Sequence, residues 1–261
     1  MTIQAKTVDY DQDGKTFEGY FAWNDASKKP APCVLVAHAW AGLTDYEQTN
    51  ARNLAELGYS AFCIDLYGKG VRGNSTEENA GLMQPFLDDR AMLQNRLIHA
   101  SDVARAQENV DASKMAAIGY CFGGLCVLDM ARVGASIQGV VSFHGLFFPP
   151  GNTEGNKIQT KVLALHGWDD PMATPDQAVS FAAEMKAAGA DWQIHGYGNT
   201  CHAFTHPSAN DPDNGMSYSE SAYQRSWQAM TNFFEEIRIF ISVNIMTFLR
   251  SLFKRISNLS I

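Results

Sequence analysis

A thiol, a carboxylate and an imidazole come along this chain in that order, as Cys121, Asp170 and His202. Each lies just past an apolar run. Cys121 stands at the centre of Gly119-Tyr120-Cys121-Phe122-Gly123-Gly124. That segment follows Met115-Ala116-Ala117-Ile118 and precedes the helix-like Leu125-Cys126-Val127-Leu128-Asp129-Met130-Ala131. A strand, a tight glycine-rich turn with a nucleophile at its tip and a helix make a nucleophile elbow. The flanking glycines let strand and helix backbones approach where a Cβ would clash. The spacing to Asp170 and then to His202 gives a nucleophile, acid, histidine order along the chain. A thiol needs a base and the base an orienting group.

Val162-Leu163-Ala164-Leu165 runs into the acidic turn His166-Gly167-Trp168-Asp169-Asp170-Pro171. In the recurring pattern His-Gly-x-x-Asp the second acid holds the catalytic place, which selects Asp170 over Asp169. His202 follows Gly196-Tyr197-Gly198-Asn199-Thr200-Cys201, in the loop where the topology needs a base. His38, His166 and His195 lie at strand ends or within strands and read as structural. His99 lies in a long helix and reads as ordinary. An oxyanion hole needs two preorganised N–H donors. The amide of Phe122, at the start of the helix after the elbow, is one. Trp40 N–H, in His38-Ala39-Trp40-Ala41-Gly42, is expected to be the other. A thioester intermediate favours good leaving groups, hence activated esters, lactones and enol esters rather than amides.

The elements that must position these groups alternate. Thr7–Tyr10 and Phe17–Trp23 read as a hairpin turning at Asp13-Gly14. Buried strands are expected at Cys33–His38, Ser60–Asp65, Met115–Ile118, Gly139–Phe143, Val162–Leu165 and Trp192–His195. Helices are expected at Tyr46–Leu57, Thr76–Asn109 with a break near Pro85, Pro175–Ala188 and Tyr218–Glu236. Strands alternating with helices give a mostly parallel sheet covered on both faces, an α/β fold. With 261 residues, 46% of them hydrophobic, the chain forms one such domain, assigned to residues 1–236. A net charge of −8 argues against nucleic acid. The opening residues do not read as a signal peptide. Five irregularly spaced cysteines suit a reducing cytoplasm, and no Cys/His cluster has zinc-ligand spacing.

Residues 237–261 break the pattern. They are apolar and basic, with Arg238, Arg250, Lys254 and Arg255 and no acid. They are too interrupted for a membrane span. Three readings are open: an added helix against the domain or a second copy, an extension without a natural role, and an amphipathic membrane-surface helix.

In its motifs the chain resembles the dienelactone hydrolase family of the α/β-hydrolase superfamily. The marks are Val36–Leu43, Asp65-Leu66-Tyr67-Gly68, Gly119–Gly124, His166–Pro171 and His202-Ala203-Phe204, spread over Thr7 to Phe234. The resemblance implies a Cys121, Asp170, His202 triad, a sheet of eight mostly parallel strands, and no metal or organic cofactor. Two positions depart from the family pattern. The family glutamate beside the resting thiol is replaced by Ala39. A carboxylate-gripping arginine four residues past the histidine is replaced by His206. Arg72, Arg90 and Arg96 lie in the right region for another such arginine. His206 and Arg90 are the substrate-binding candidates. The expected activity is hydrolysis of a small ester or lactone by a monomer or homodimer. A thioesterase or acyl transferase with the same triad, or a binding protein on this scaffold, is the alternative.

Overall fold

The computed structural model describes residues 2–26 and 30–239. Strands β1 (Ile3–Gln12) and β2 (Lys15–Asn24) form the expected hairpin, with Gln12 opposite Lys15. Asp13 (φ 52°) and Gly14 (φ 75°) fill its two-residue turn, where both central positions need positive φ. The other six strands of the main sheet are β3 (Ala31–Ala37), β4 (Ser60–Ile64), β5 (Val110–Tyr120), β6 (Gly139–Phe143), β7 (Lys161–Gly167) and β8 (Trp192–Tyr197). The order is β1-β2-β4-β3-β5-β6-β7-β8. Strand β2 runs antiparallel to both β1 and β4, and every pairing from β4 to β8 is parallel. This is the expected eight-stranded α/β-hydrolase sheet.

Period-two geometry gives each central strand two buried faces. On β3, Cys33, Leu35 and Ala37 enter one core layer, and Val34 and Val36 enter the other. The first layer is closed by α3 (Arg90–Arg105), α4 (Phe122–Arg132) and α5 (Pro175–Ala188) through residues such as Leu97, Leu125 and Phe181. The second is closed by α1 (Asp45–Glu56) and α6 (Glu220–Glu236) through Leu54, Met230 and Phe234. With few polar positions in either layer, the central strands read as mostly apolar runs.

The helical stretch expected to break near Pro85 breaks four residues later. Helix α2 (Thr76–Asp88) carries Pro85 inside it, and α3 starts at Arg90. Asp89 sets the break: it leaves helical geometry (φ −124°, ψ 85°), and its side chain accepts from Met92 N–H at 2.9 Å. Burial continues just past the boundary expected at residue 236. Ile237 and Ile239 are buried against the second core layer, so the domain packs at least through Ile239. The readings made for the remaining tail lie outside the described residues.

Candidate active site

Strands β3, β5, β6, β7 and β8 all deliver their C-terminal ends to one edge of the sheet, where open α/β folds place ligands. The elbow lies between β5 and α4. Cys121 has φ 56° and ψ −115°, a strained conformation for a residue with a Cβ. Its neighbours explain how the turn closes. A Cβ on Gly119 would lie 2.0 Å from Gly123 O, and one on Gly123 would lie 2.1 Å from Ala37 O. Only glycine lets α4 start this close to β5 and β3. Cys121 occupies the N-cap of α4 without a side-chain cap bond, so its Sγ lies by the positive end of the helix dipole.

The β7 loop separates the two acids. Asp169 is exposed, and its amide donates to Thr200 O at 3.0 Å. Asp170 is 1% exposed. Its Oδ1 accepts from Met172 N–H (2.8 Å) and Ala173 N–H (3.2 Å), and its Oδ2 meets His202 Nδ1 at 2.7 Å. The histidine loop is stitched in place from both sides. A Cβ on Gly167 would lie 2.5 Å from both Thr200 O and Cys201 O. Strands β9 (Asn210–Asp211) and β10 (Met216–Ser217) form a short ribbon that grips His202. His202 N–H donates to Gly215 O at 2.9 Å, and Ser217 N–H donates to His202 O at 3.1 Å. Its free ring nitrogen, Nε2, is buried without a partner among the described residues. Burial opposes the charged ring. The charge of Cys121, then the hydrogen bond to Asp170, outweigh it, and the pKa of His202 is pushed up to about 10.

The loop after β3 is held at nearly every polar atom. Ala39 N–H donates to the buried Glu47 carboxylate (3.2 Å), which also takes Thr44 N–H (2.9 Å) in a capping box. Ala39 O is 2.6 Å from His38 Nδ1, and His38 Nε2 accepts from Leu66 N–H at 3.2 Å. That pattern fixes a neutral ring whose pKa burial lowers to about 4. Trp40 O accepts from Tyr67 O–H at 2.9 Å, and Ala41 O accepts from Gly73 N–H at 3.0 Å. Arg72 braces the same loop through Leu43 O and packs on Gly42. Trp40 N–H and Phe122 N–H have no acceptor among the described residues.

The two substrate-binding candidates are placed differently from expectation. Arg90 is buried and bidentate to Asp129 of α4, at 2.8 and 2.6 Å, and its Nη2 also reaches Phe148 O at 3.3 Å. Its charge is spent on holding α3 against α4, which corrects its assignment to substrate. His206 is half-buried with its ring on Tyr46, centroids 4.4 Å apart, and burial lowers its pKa. It therefore does not replace an arginine's cation. His144 went unnoticed in the sequence. It ends β6 at φ 39°, its Nδ1 accepts from Cys121 N–H at 3.2 Å, and its ring stands edge-on to that of His202 at 5.2 Å. The only sequence signal was a histidine closing a buried apolar strand.

Comparison with known proteins agrees with this architecture. The model of the dienelactone hydrolase family matches residues 17–238. The chain belongs to that family. The chain matches the metagenomic dienelactone hydrolase-like promiscuous phosphotriesterase P91 with a TM-score of 0.84 and 36% identity, covering 90% of this chain and 98% of that one. The solved structure named m3DLH matches with a TM-score of 0.86 and 34% identity, again over 90% of this chain and 98% of that one. A provisionally named carboxymethylenebutenolidase of Yersinia pestis is 26% identical over 234 residues, 85% of each chain. This dienelactone hydrolase-family chain is a carboxylic ester hydrolase. No helix among its described residues is long and apolar enough to cross a membrane.

Proposed function

We propose that the chain cleaves uncharged, activated carboxylic esters, enol esters and lactones through a Cys121–His202–Asp170 triad and an acyl-thioester. One observation carries this reading: a buried imidazole bonded to Asp170 at 2.7 Å presents its unpartnered Nε2 to Cys121 at an elbow. The raised His202 pKa suits the imidazole to hold the proton that Cys121 gives up. The thiolate attacks the carbonyl carbon, and its C=O electron pair moves to oxygen. The oxyanion rests on Phe122 and Trp40 N–H, where one donor is worth about 2.7–4 kcal/mol of barrier. The carbonyl re-forms as the alkoxide or enolate leaves with the proton from His202. Neutral His202 then takes a proton from water, which attacks the thioester and releases Cys121 as thiolate.

The preference for an uncharged substrate follows from where the cations go. Arg72 is spent on Leu43 O and Val71 O, Arg90 on Asp129, and Arg96 on Leu66 O and the faces of Phe17 and Phe86. With Ala39 and a neutral His206 in the family's charged positions, none of these described residues offers a free cation to a substrate carboxylate. The test is hydrolysis of p-nitrophenyl acetate from pH 5 to 9 by wild type, Cys121→Ala and His202→Ala, then of matched esters with and without a free carboxylate. Loss of turnover in both variants and a higher kcat/KM for the neutral ester are expected. Equal background rates in all three proteins would sink the esterase reading, and preference for the carboxylate ester would sink its substrate class.

Likeness to P91, described as a promiscuous phosphotriesterase, supports a second reaction at the same thiol. Cys121 Sγ would bond to phosphorus as an aryloxide leaves, and water would then cleave the P–S bond. Paraoxon turnover that disappears in Cys121→Ala tests it.

A further inference from the structure

We propose that His144 and Thr205 form a strut that fixes the nucleophile elbow relative to the histidine loop, making both positioning residues for the reaction. The inference rests on the ester hydrolase reading above. The chain of bonds is continuous. Cys121 N–H, already bonded to Phe143 O at 3.0 Å, also points to His144 Nδ1 at 3.2 Å. On the other side of the ring, His144 Nε2 lies 2.7 Å from Thr205 Oγ1. Thr205 Oγ1 in turn lies 2.7 Å from Tyr46 Oη, and Tyr46 O–H reaches Thr205 O at 3.2 Å. Thr205 sits three residues beyond His202, and Tyr46 belongs to the helix that follows the oxyanion loop. The elbow, the histidine loop and α1 are therefore tied through one imidazole and one threonine hydroxyl.

The donors settle the tautomer. A backbone N–H only donates, so Nδ1 carries the lone pair and Nε2 carries the proton. Nε2–H donates to Thr205 Oγ1. The threonine hydroxyl then donates to Tyr46 Oη, leaving the tyrosine proton for Thr205 O. Each group uses its proton once, and none is orphaned. Burial, then the positive charge of His202, hold His144 well below the ordinary histidine range, so the ring beside the catalytic imidazole stays neutral. The left-handed φ of 39° at His144 marks a backbone bent to aim this ring at the elbow. Thiol attack requires Sγ, Nε2 and the oxyanion amides in register, and misplacement by about 1 Å costs about 100-fold.

Thr205→Val removes the acceptor while keeping the shape, and Thr205→Ser keeps the hydroxyl. With p-nitrophenyl acetate, kcat in Thr205→Val is expected to fall about 10- to 100-fold with KM within about threefold. Thr205→Ser should keep kcat within about threefold of wild type. Equal kcat in the valine variant and wild type, or an equal loss in the serine variant, would overturn the strut. Long-range 1H–15N spectra of the wild-type protein at pH 7 give a readout that needs no variant to fold. An unprotonated Nδ1 and protonated Nε2 on His144 are expected, and the reverse tautomer or a charged ring overturns the proposal. Cys121→Ala in the same assay separates the two failures. Turnover that survives it removes the hydrolase reading itself, whereas turnover lost there but kept in Thr205→Val removes only the strut.

Discussion

Replacing Cys121 by alanine removes the group whose charge does most to keep a proton on His202. A rise from the ordinary 6.5 to about 10 corresponds to about 5 kcal/mol of preference for the charged ring. That preference is what remains after burial has worked against it. Two unit charges about 4 Å apart at an effective dielectric of about 20 attract by about 4 kcal/mol. The thiolate can therefore supply most of the net effect, and the bond to Asp170 supplies the rest against desolvation. In Cys121→Ala the His202 pKa should return to the ordinary histidine range or below. In wild type the ring should stay protonated until the pH rises through about 10. The assay is a 1H–15N titration of the His202 ring in both proteins, with Asp170→Asn as a third. Two results would refute the reasoning. If the alanine variant still holds its proton at pH 9, Asp170 alone sets the value. If wild-type His202 loses its proton near 6.5, the resting pair is neutral thiol and neutral imidazole.

Three further outcomes follow from the geometry. Asp170→Asn should lower kcat by about 100-fold or more, about 2.7 kcal/mol of barrier, whereas exposed Asp169→Asn should stay within about threefold; kinetics on one ester decides. Gly123→Ala drives a Cβ to 2.1 Å from Ala37 O and 2.7 Å from His38 O, both backbone atoms that cannot step aside. It should cost about 3 kcal/mol and lower Tm by roughly 6–12 °C, and an unchanged melting curve would show that the elbow tolerates a side chain. His38 has a folded pKa of about 4 against an ordinary 6.5, so the unfolded chain binds more protons between those values. Its contribution is present above about pH 6.5 and is lost as pH falls toward 4, about 3 kcal/mol in all. His38→Asn should flatten that part of the stability–pH curve, and an unaltered slope assigns it to other groups.

What the sequence revealed about the site and what it concealed divide along a physical line. The placement of Cys121, Asp170 and His202 in loops at one edge of the sheet was legible because each is announced by its local chain. Glycines mark a turn too tight for side chains, an acidic turn closes a buried strand, and a histidine follows the next strand. The sheet was legible for a related reason, since strands buried on both faces are mostly apolar, with few polar residues such as Ser142 to interrupt them. The break at Asp89 was hidden because a cap bond to Met92 N–H outweighed the expectation attached to Pro85. Arg90 was misassigned because its partner, Asp129, lies 39 residues away on a different helix, and no local pattern reports that pairing.

His144 shows the limit most clearly. It went unnoticed in the sequence, and it is buried. Its importance comes from its place in a relay of three bonds that span 23, 61 and 159 positions along the chain: Cys121 to His144, His144 to Thr205, and Thr205 to Tyr46. Such a link exists only once β6, the histidine loop and α1 have been brought to the same edge of the sheet. The reacting groups can be read from motifs because chemistry restricts residue type and the fold restricts spacing. The groups that hold them are chosen by whichever side chain reaches across. Two relatives can therefore share the triad and differ in its support. That is where Ala39 and His206 already set this chain apart from the family pattern. Grafting the family glutamate in as Ala39→Glu should then reduce activity rather than restore it. A new carboxylate at that position would compete with Glu47 for the loop amide and set a negative charge near the thiolate. Kinetics of this single variant decide the matter: a gain in kcat would mean that the loop bracing described above is not what the thiol depends on.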